Sequence, residues 1–94
     1  MTNEEYGVKL EFHTGVNLTN ATSGILIYTK PDATYQERAL NFDDYINGIV
    51  SYINVLGDFD LPGRYYYSIR IIFSNKILES RTEEFKITKS LHQP

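Results

Sequence analysis

The chain has 94 residues, 41% hydrophobic and 22% charged, a composition that fits one folded domain with a small core and indicates neither a disordered chain nor a fibrous repeat. It contains no cysteine, which removes a disulfide framework, a cysteine-ligated zinc site and thiol catalysis together. The net charge is −3 with Lys and Arg scattered singly, so the concentrated basic surface from which nucleic-acid binding draws its affinity is missing.

The first residues, MTNEEYGVKLEF, place two acids where a secretory signal carries basic residues, and no apolar run approaches the roughly 20 residues of a membrane span. Synthesis in a cytoplasm, with retention or assembly there, is the expectation. Period-two alternation begins at once: Tyr6, Val8, Leu10 and Phe12 share one face of a strand, and Lys9, Glu11 and His13 the other. The Gly, Asn, Thr and Ser of TGVNLTNATS read as a loop, and GILIYTK follows as a short apolar strand. Pro31 cannot donate to a ladder and biases Lys30 to extended backbone, so this strand should end near Lys30. TYQERALNF, from Thr34, is polar and mixed and reads as an exposed or edge strand, with a helical turn over YQERAL as the alternative.

Asn47-Gly48, between two β-prone segments, predicts a hairpin with a type I′ turn. After a strand over Ile49 to Val55, LGDFDLPG is a corner in which Gly57, Asp58, Asp60, Pro62 and Gly63 are all turn residues. Beyond it Tyr65, Tyr67, Ile69, Ile71 and Phe73 point to one side, and Tyr66, Ser68, Arg70 and Ile72 to the other. A turn at Asn75 leads into a return strand with Phe85 and Ile87 inward. About seven short antiparallel strands without sustained helical periodicity predict an all-β, immunoglobulin-like β-sandwich, with a small barrel as the alternative. A single domain over residues 1–88 and a frayed tail over 89–94 are expected.

PGRYYY resembles the entry to strand F of immunoglobulin-like domains, with Pro62, Gly63, Tyr65 and Tyr67 as a structural corner and the Tyr65 hydroxyl bonding upstream backbone. Tyr67 stands where a disulfide-bonded domain has its second Cys, and there is no Trp, so an antibody-type domain is not indicated. Over residues 17–88 the chain resembles the small immunoglobulin-like domains of tailed-phage structural proteins, such as the N-terminal domain of lactococcal-phage baseplate upper proteins and phage collar or neck proteins. The matching residues are Lys30, Pro31 and Asp32; Gly48; Asp58 and Asp60; Pro62, Gly63 and Tyr65; and Glu84, Phe85 and Ile87. The chain departs from that pattern at Ala33, where these domains carry Gly after Asp. The resemblance implies a structural or adaptor role in a virion and transfers no catalytic residue.

Successive tyrosines on a strand face opposite ways, so Tyr65 and Tyr67 are assigned to the core and Tyr66 alone to a surface. Tyr66, Ile72, Tyr35, Tyr45 and Tyr52 are the candidate interface residues, because a rigid ring with a polar tip suits protein contacts. The pairs Asp43-Asp44 and Asp58-Asp60 fall short of the six to eight oxygens that calcium requires and are read as turn caps. His13 and His92 have no nucleophile or carboxylate tied to them by spacing, so no enzyme activity is expected. Asn17 and Asn20 match glycosylation acceptors but are read as loop composition. The expectation is a non-enzymatic structural or adaptor protein of a phage tail, baseplate or neck. Its partners would be other virion proteins and further copies of itself, without cofactor, metal, nucleic acid, membrane or small-molecule substrate. Binding of carbohydrate or of a host-cell surface, and capsid decoration, are the alternatives.

Overall fold

The computed structural model describes residues 1, 2 and 5–88. The expected frayed tail and His92 lie outside these residues. Among the described residues eight strands run in the order β1 (Lys9–His13), β2 (Ala21–Thr29), β3 (Tyr35–Ala39), β4 (Asn41–Asp44), β5 (Ile49–Ile53), β6 (Gly63–Phe73), β7 (Ile77–Glu79) and β8 (Glu83–Ile87). They form two antiparallel sheets: β1-β5-β4, and β3-β2-β6 with β7 and β8 both on the far side of β6. In immunoglobulin lettering the smaller sheet is B-E-D and the larger C′-C-F-G, the Greek-key arrangement of that sandwich. Thr2 adds a single parallel bridge to Thr88.

The core lies between the sheets and is built from alternate residues. Leu26 and Tyr28 come from β2, Val50 and Tyr52 from β5, Tyr65, Ile69, Ile71 and Phe73 from β6, and Ile87 from β8. Its centre is aromatic. Phe59 meets Tyr65 and Phe85 edge-on at 5.4 and 5.3 Å, and Tyr65 stacks on Phe85 at 5.3 Å. Offset and edge-on pairs of this kind add to area burial. The Tyr65 hydroxyl donates to the Leu61 carbonyl at 2.8 Å and accepts the Leu61 N–H at 3.2 Å, locking the corner before β6. Gly63, at φ +133°, lets that corner pack against Pro31; a Cβ there would lie 2.9 Å from the proline ring.

Four details differ from the sequence expectation. TYQERALNF is two strands, because Leu40 turns inward to the core and the chain changes sheets there. Strand β2 starts before its apolar run, at Ala21, and Thr22 donates its hydroxyl to the Ile72 carbonyl. The β4–β5 connection is a four-residue turn, Tyr45 to Gly48, with positive φ at Gly48 only. Asp44 replaces the type I′ geometry by accepting both the backbone N–H and the side-chain amide of Asn47, at 3.1 and 2.7 Å. Finally, the return strand is broken: Arg70 faces Glu79 and Tyr67 faces Glu83, so three residues, Ser80 to Thr82, oppose two, Ser68 and Ile69. In the gap Ser80 accepts the Ile69 N–H on its hydroxyl and donates its own N–H to the Ile69 carbonyl.

The turn between β2 and β3 closes with Ala33 N–H on the Lys30 carbonyl, and Ala33 sits at φ +70°. A left-handed alanine costs about 1–2 kcal/mol, more than the added backbone entropy of glycine. Ala33→Gly should therefore raise stability by about 0.5–1 kcal/mol, seen as a higher denaturation midpoint. Tyr65→Phe, which strands two backbone groups of Leu61, should lower it by about 1–2 kcal/mol.

Candidate docking surface

The outward side chains of the larger sheet fall into cross-strand rows. Tyr35, Thr29 and Tyr66 stand in one; Glu37, Ile27 and Ser68 in the next; Ala39, Ile25, Arg70 and Glu79 in a third; and Ser23, Ile72 and Ile77 in a fourth. The reason is β2, which is apolar on both faces: Leu26 and Tyr28 enter the core while Ile25 and Ile27 look outward. Ile27 is only 8% exposed although it lies outside the core cluster, so its outer-face neighbours cover it. Tyr35, Tyr66 and Ile77 remain exposed, at 56%, 45% and 62%. Two polar contacts flank this apolar strip. Arg70 pairs with Glu79 at 3.1 Å, and the Tyr35 hydroxyl donates to Glu37 at 2.8 Å.

Of the five interface candidates, this face brings together Tyr35, Tyr66 and Ile72. Tyr45 is elsewhere, on the β4–β5 turn, stacked on Phe42 at 5.1 Å. Tyr52 is a correction: it is buried, because alternation along β5 turns residues 50 and 52 inward. Tyr65 is likewise buried and Tyr67 half-buried in the interior. Sequence reading missed Ile25, Ile27 and Ile77. The unbroken apolar run of GILIY was the available signal, since a strand apolar at every position is covered on both faces.

Tyr52 belongs instead to a polar cluster at the corner after β5. The Asp58 carboxylate, 2% exposed, accepts from the Tyr52 hydroxyl, from the Val55 N–H at 3.0 Å and from the Arg38 guanidinium at 3.1 and 3.2 Å. The Asp58 backbone carbonyl takes the Tyr28 hydroxyl at 3.4 Å. Asp58 thus caps its turn and also ties β2, β3 and β5 together. Asp60 pairs with Lys30 at 2.8 Å, and Asp43 with Lys9 at 3.0 Å and Ser51. Among the described residues no group of three or more His, Cys, Asp or Glu could hold a metal ion, and no helix is long and apolar enough to cross a membrane.

No protein-family model matches the chain, and no curated protein is similar to it.

Burial pushes the Tyr52 phenol up to about 12, reinforced by its hydrogen bond to Asp58. Burial also pushes Tyr28, Tyr65 and Tyr67 up. An unfolded phenol ionises near pH 10, so between about 10 and 12 the folded chain holds protons that the unfolded chain has lost. The contribution of Tyr52 to stability is complete below about pH 10 and is lost as pH rises toward 12, and Tyr28, Tyr65 and Tyr67 act in the same direction. Urea midpoints should fall over that window, and less steeply in Tyr52→Phe; a level midpoint would contradict the assignment.

Proposed function

We propose that the chain is a non-enzymatic structural or adaptor module of a phage virion, part of a tail, baseplate or neck, that docks on a larger symmetric assembly. The observation that carries the docking role is the outward apolar strip of the larger sheet, Ile25, Ile27, Ile72 and Ile77, with the exposed rings of Tyr35 and Tyr66 at one end. An apolar centre with aromatic anchors and a charged rim is the anatomy of a protein interface. The rim here is Glu37 on one side and Glu79 on the other, with Arg70 pairing to Glu79 from beside Ile25 and Ile72. The virion setting rests on the sequence resemblance, carried by Lys30-Pro31-Asp32 and by the corner from Asp58 to Tyr65. Assembly happens after synthesis in the host bacterial cytoplasm, and the partners are virion proteins; capsid decoration would differ only in which of them is met.

A carbohydrate-binding reading is favoured by one observation. Tyr35 and Tyr66 flank Thr29 in a single row, so two strand spacings set their backbones about 10 Å apart on one face, room for a sugar to lie between two rings.

The test is co-complex formation, by light scattering, with virion proteins encoded in the same genome. A stable co-complex is expected, weakened at least about tenfold by Tyr66→Ser or Ile77→Asp, both at exposed positions that leave the fold intact. Failure to bind any virion protein, together with glycan binding abolished by Tyr66→Ser, would replace the adaptor reading with the carbohydrate one.

A further inference from the structure

β1 is bonded on one side only, to β5, and among the described residues no strand occupies the side where strand A of the immunoglobulin fold runs. That open edge borders a seam between the two sheets that is not filled. Two apolar cavities lie along it, of about 290 and 360 Å³, and they share Phe12 as a wall. Leu10, Tyr67 and Phe85 line the first, and Val16, Ile69 and Leu78 the second.

Hydrogen bonds fix which groups of β1 are free. Thr14 N–H bonds the Gly48 carbonyl and Asn54 N–H bonds the Val8 carbonyl, so positions 8 and 14, and by alternation 10 and 12, face β5. Lys9, Glu11 and His13 therefore turn their backbone N–H and C=O toward the open edge. Their side chains form the solvent row, while Leu10 and Phe12 face the seam.

We propose that this edge pairs with the β1 edge of a second copy, antiparallel about a two-fold axis through Leu10. In that register Lys9 of each copy lies opposite Glu11 of the other, both with backbone groups free to bond. Leu10 meets its own counterpart, and Val8 meets Phe12. Two opposite-charge pairs form across the axis. A two-fold through Glu11 would instead oppose two glutamates and set Lys9 against His13, and one through Lys9 would oppose two lysines. Lys9 is bound to Asp43 within its own chain, yet its side chain is 54% exposed and that of Glu11 48%, so both can reach outward. The partner's β1 then lies along the seam with its apolar row over the cavities, and the two smaller sheets become one of six strands. This surface is separate from the outer face of the larger sheet and stands whether or not that face docks on a virion.

Because the chain has no cysteine, Leu10→Cys puts one thiol per copy at the axis. Opposed residues of a non-hydrogen-bonded antiparallel pair lie about 4.5 Å apart at Cα, within disulfide range. With oxidised glutathione as the oxidant, reduced to two glutathione thiols per bond formed, this variant should give a cross-linked dimer at least about tenfold faster than the exposed control Ile53→Cys. Sedimentation should show a wild-type dimer whose dissociation constant rises roughly tenfold in Glu11→Lys and in Lys9→Glu, since each reversal creates two like-charge pairs. Mixing the two variants should restore dimerisation, because every cross-copy pair is again of opposite sign. A wild-type monomer with cross-linking no faster than the control would overturn the proposal and leave the edge to a strand of another protein. A dimer indifferent to both reversals would overturn it as well, by placing the contact elsewhere. Glu11→Lys and Leu10→Cys decide the matter even where Lys9→Glu disturbs the Asp43 pair.

Discussion

The Asp58 carboxylate is the point on which the two sheets are hung. It sits in the corner between β5 and β6, out of water, and a charge so placed is tolerable only with a cation and full hydrogen bonding. Arg38 supplies the cation from the larger sheet, and Tyr52 and Val55 supply donors from β5 and its exit. The guanidinium also lies 5.7 Å from the centroid of the Tyr28 ring, whose electron-rich face attracts it. An ion pair of this kind adds little net stability, but losing either partner would be expensive. Through it Arg38 of the larger sheet and Tyr52 of the smaller one meet on a single carboxylate.

From that fixed corner follows the start of β6. Asp58 holds the chain where Phe59 drops into the core, and Lys30 reaches Asp60 and the Gly57 carbonyl from the adjacent turn. Tyr65 then closes the corner on Leu61 and carries its ring between Phe59 and Phe85. With its first residues held, β6 runs for eleven, pairing with β2 on one side and with β7 and β8 on the other. The outward strip of Ile25, Ile27 and Ile72 is thus set by the same alternation that fills the interior.

Much of this was legible in the residues. Alternation along Tyr65 to Phe73 gave inner and outer faces correctly, because one face is apolar at every position. The punctuation at Pro31, Asn47-Gly48 and Pro62-Gly63 located the turns. What could not be read were features decided by partners distant in sequence. Leu40 looks like any apolar residue in a mixed strand, yet its N–H is the last to bond β2, at the Gly24 carbonyl, and from Asn41 the chain pairs with β5 in the other sheet. Tyr52 looked like a surface aromatic until Asp58 and Arg38 were seen to claim its hydroxyl. The break at Ser80 depends on a serine replacing a backbone acceptor, which no local pattern announces.

That break bears on what the protein avoids. Open-sheet sandwiches are prone to runaway growth, because a long, straight outer strand is a template on which further chains can add without limit. Here the outer strand of the larger sheet is cut into two short pieces offset by one residue, so an incoming strand in register with β7 is out of register with β8. The offset that Ser80 bridges by bonding Ile69 thus makes that side of the molecule a poor template for a straight added strand.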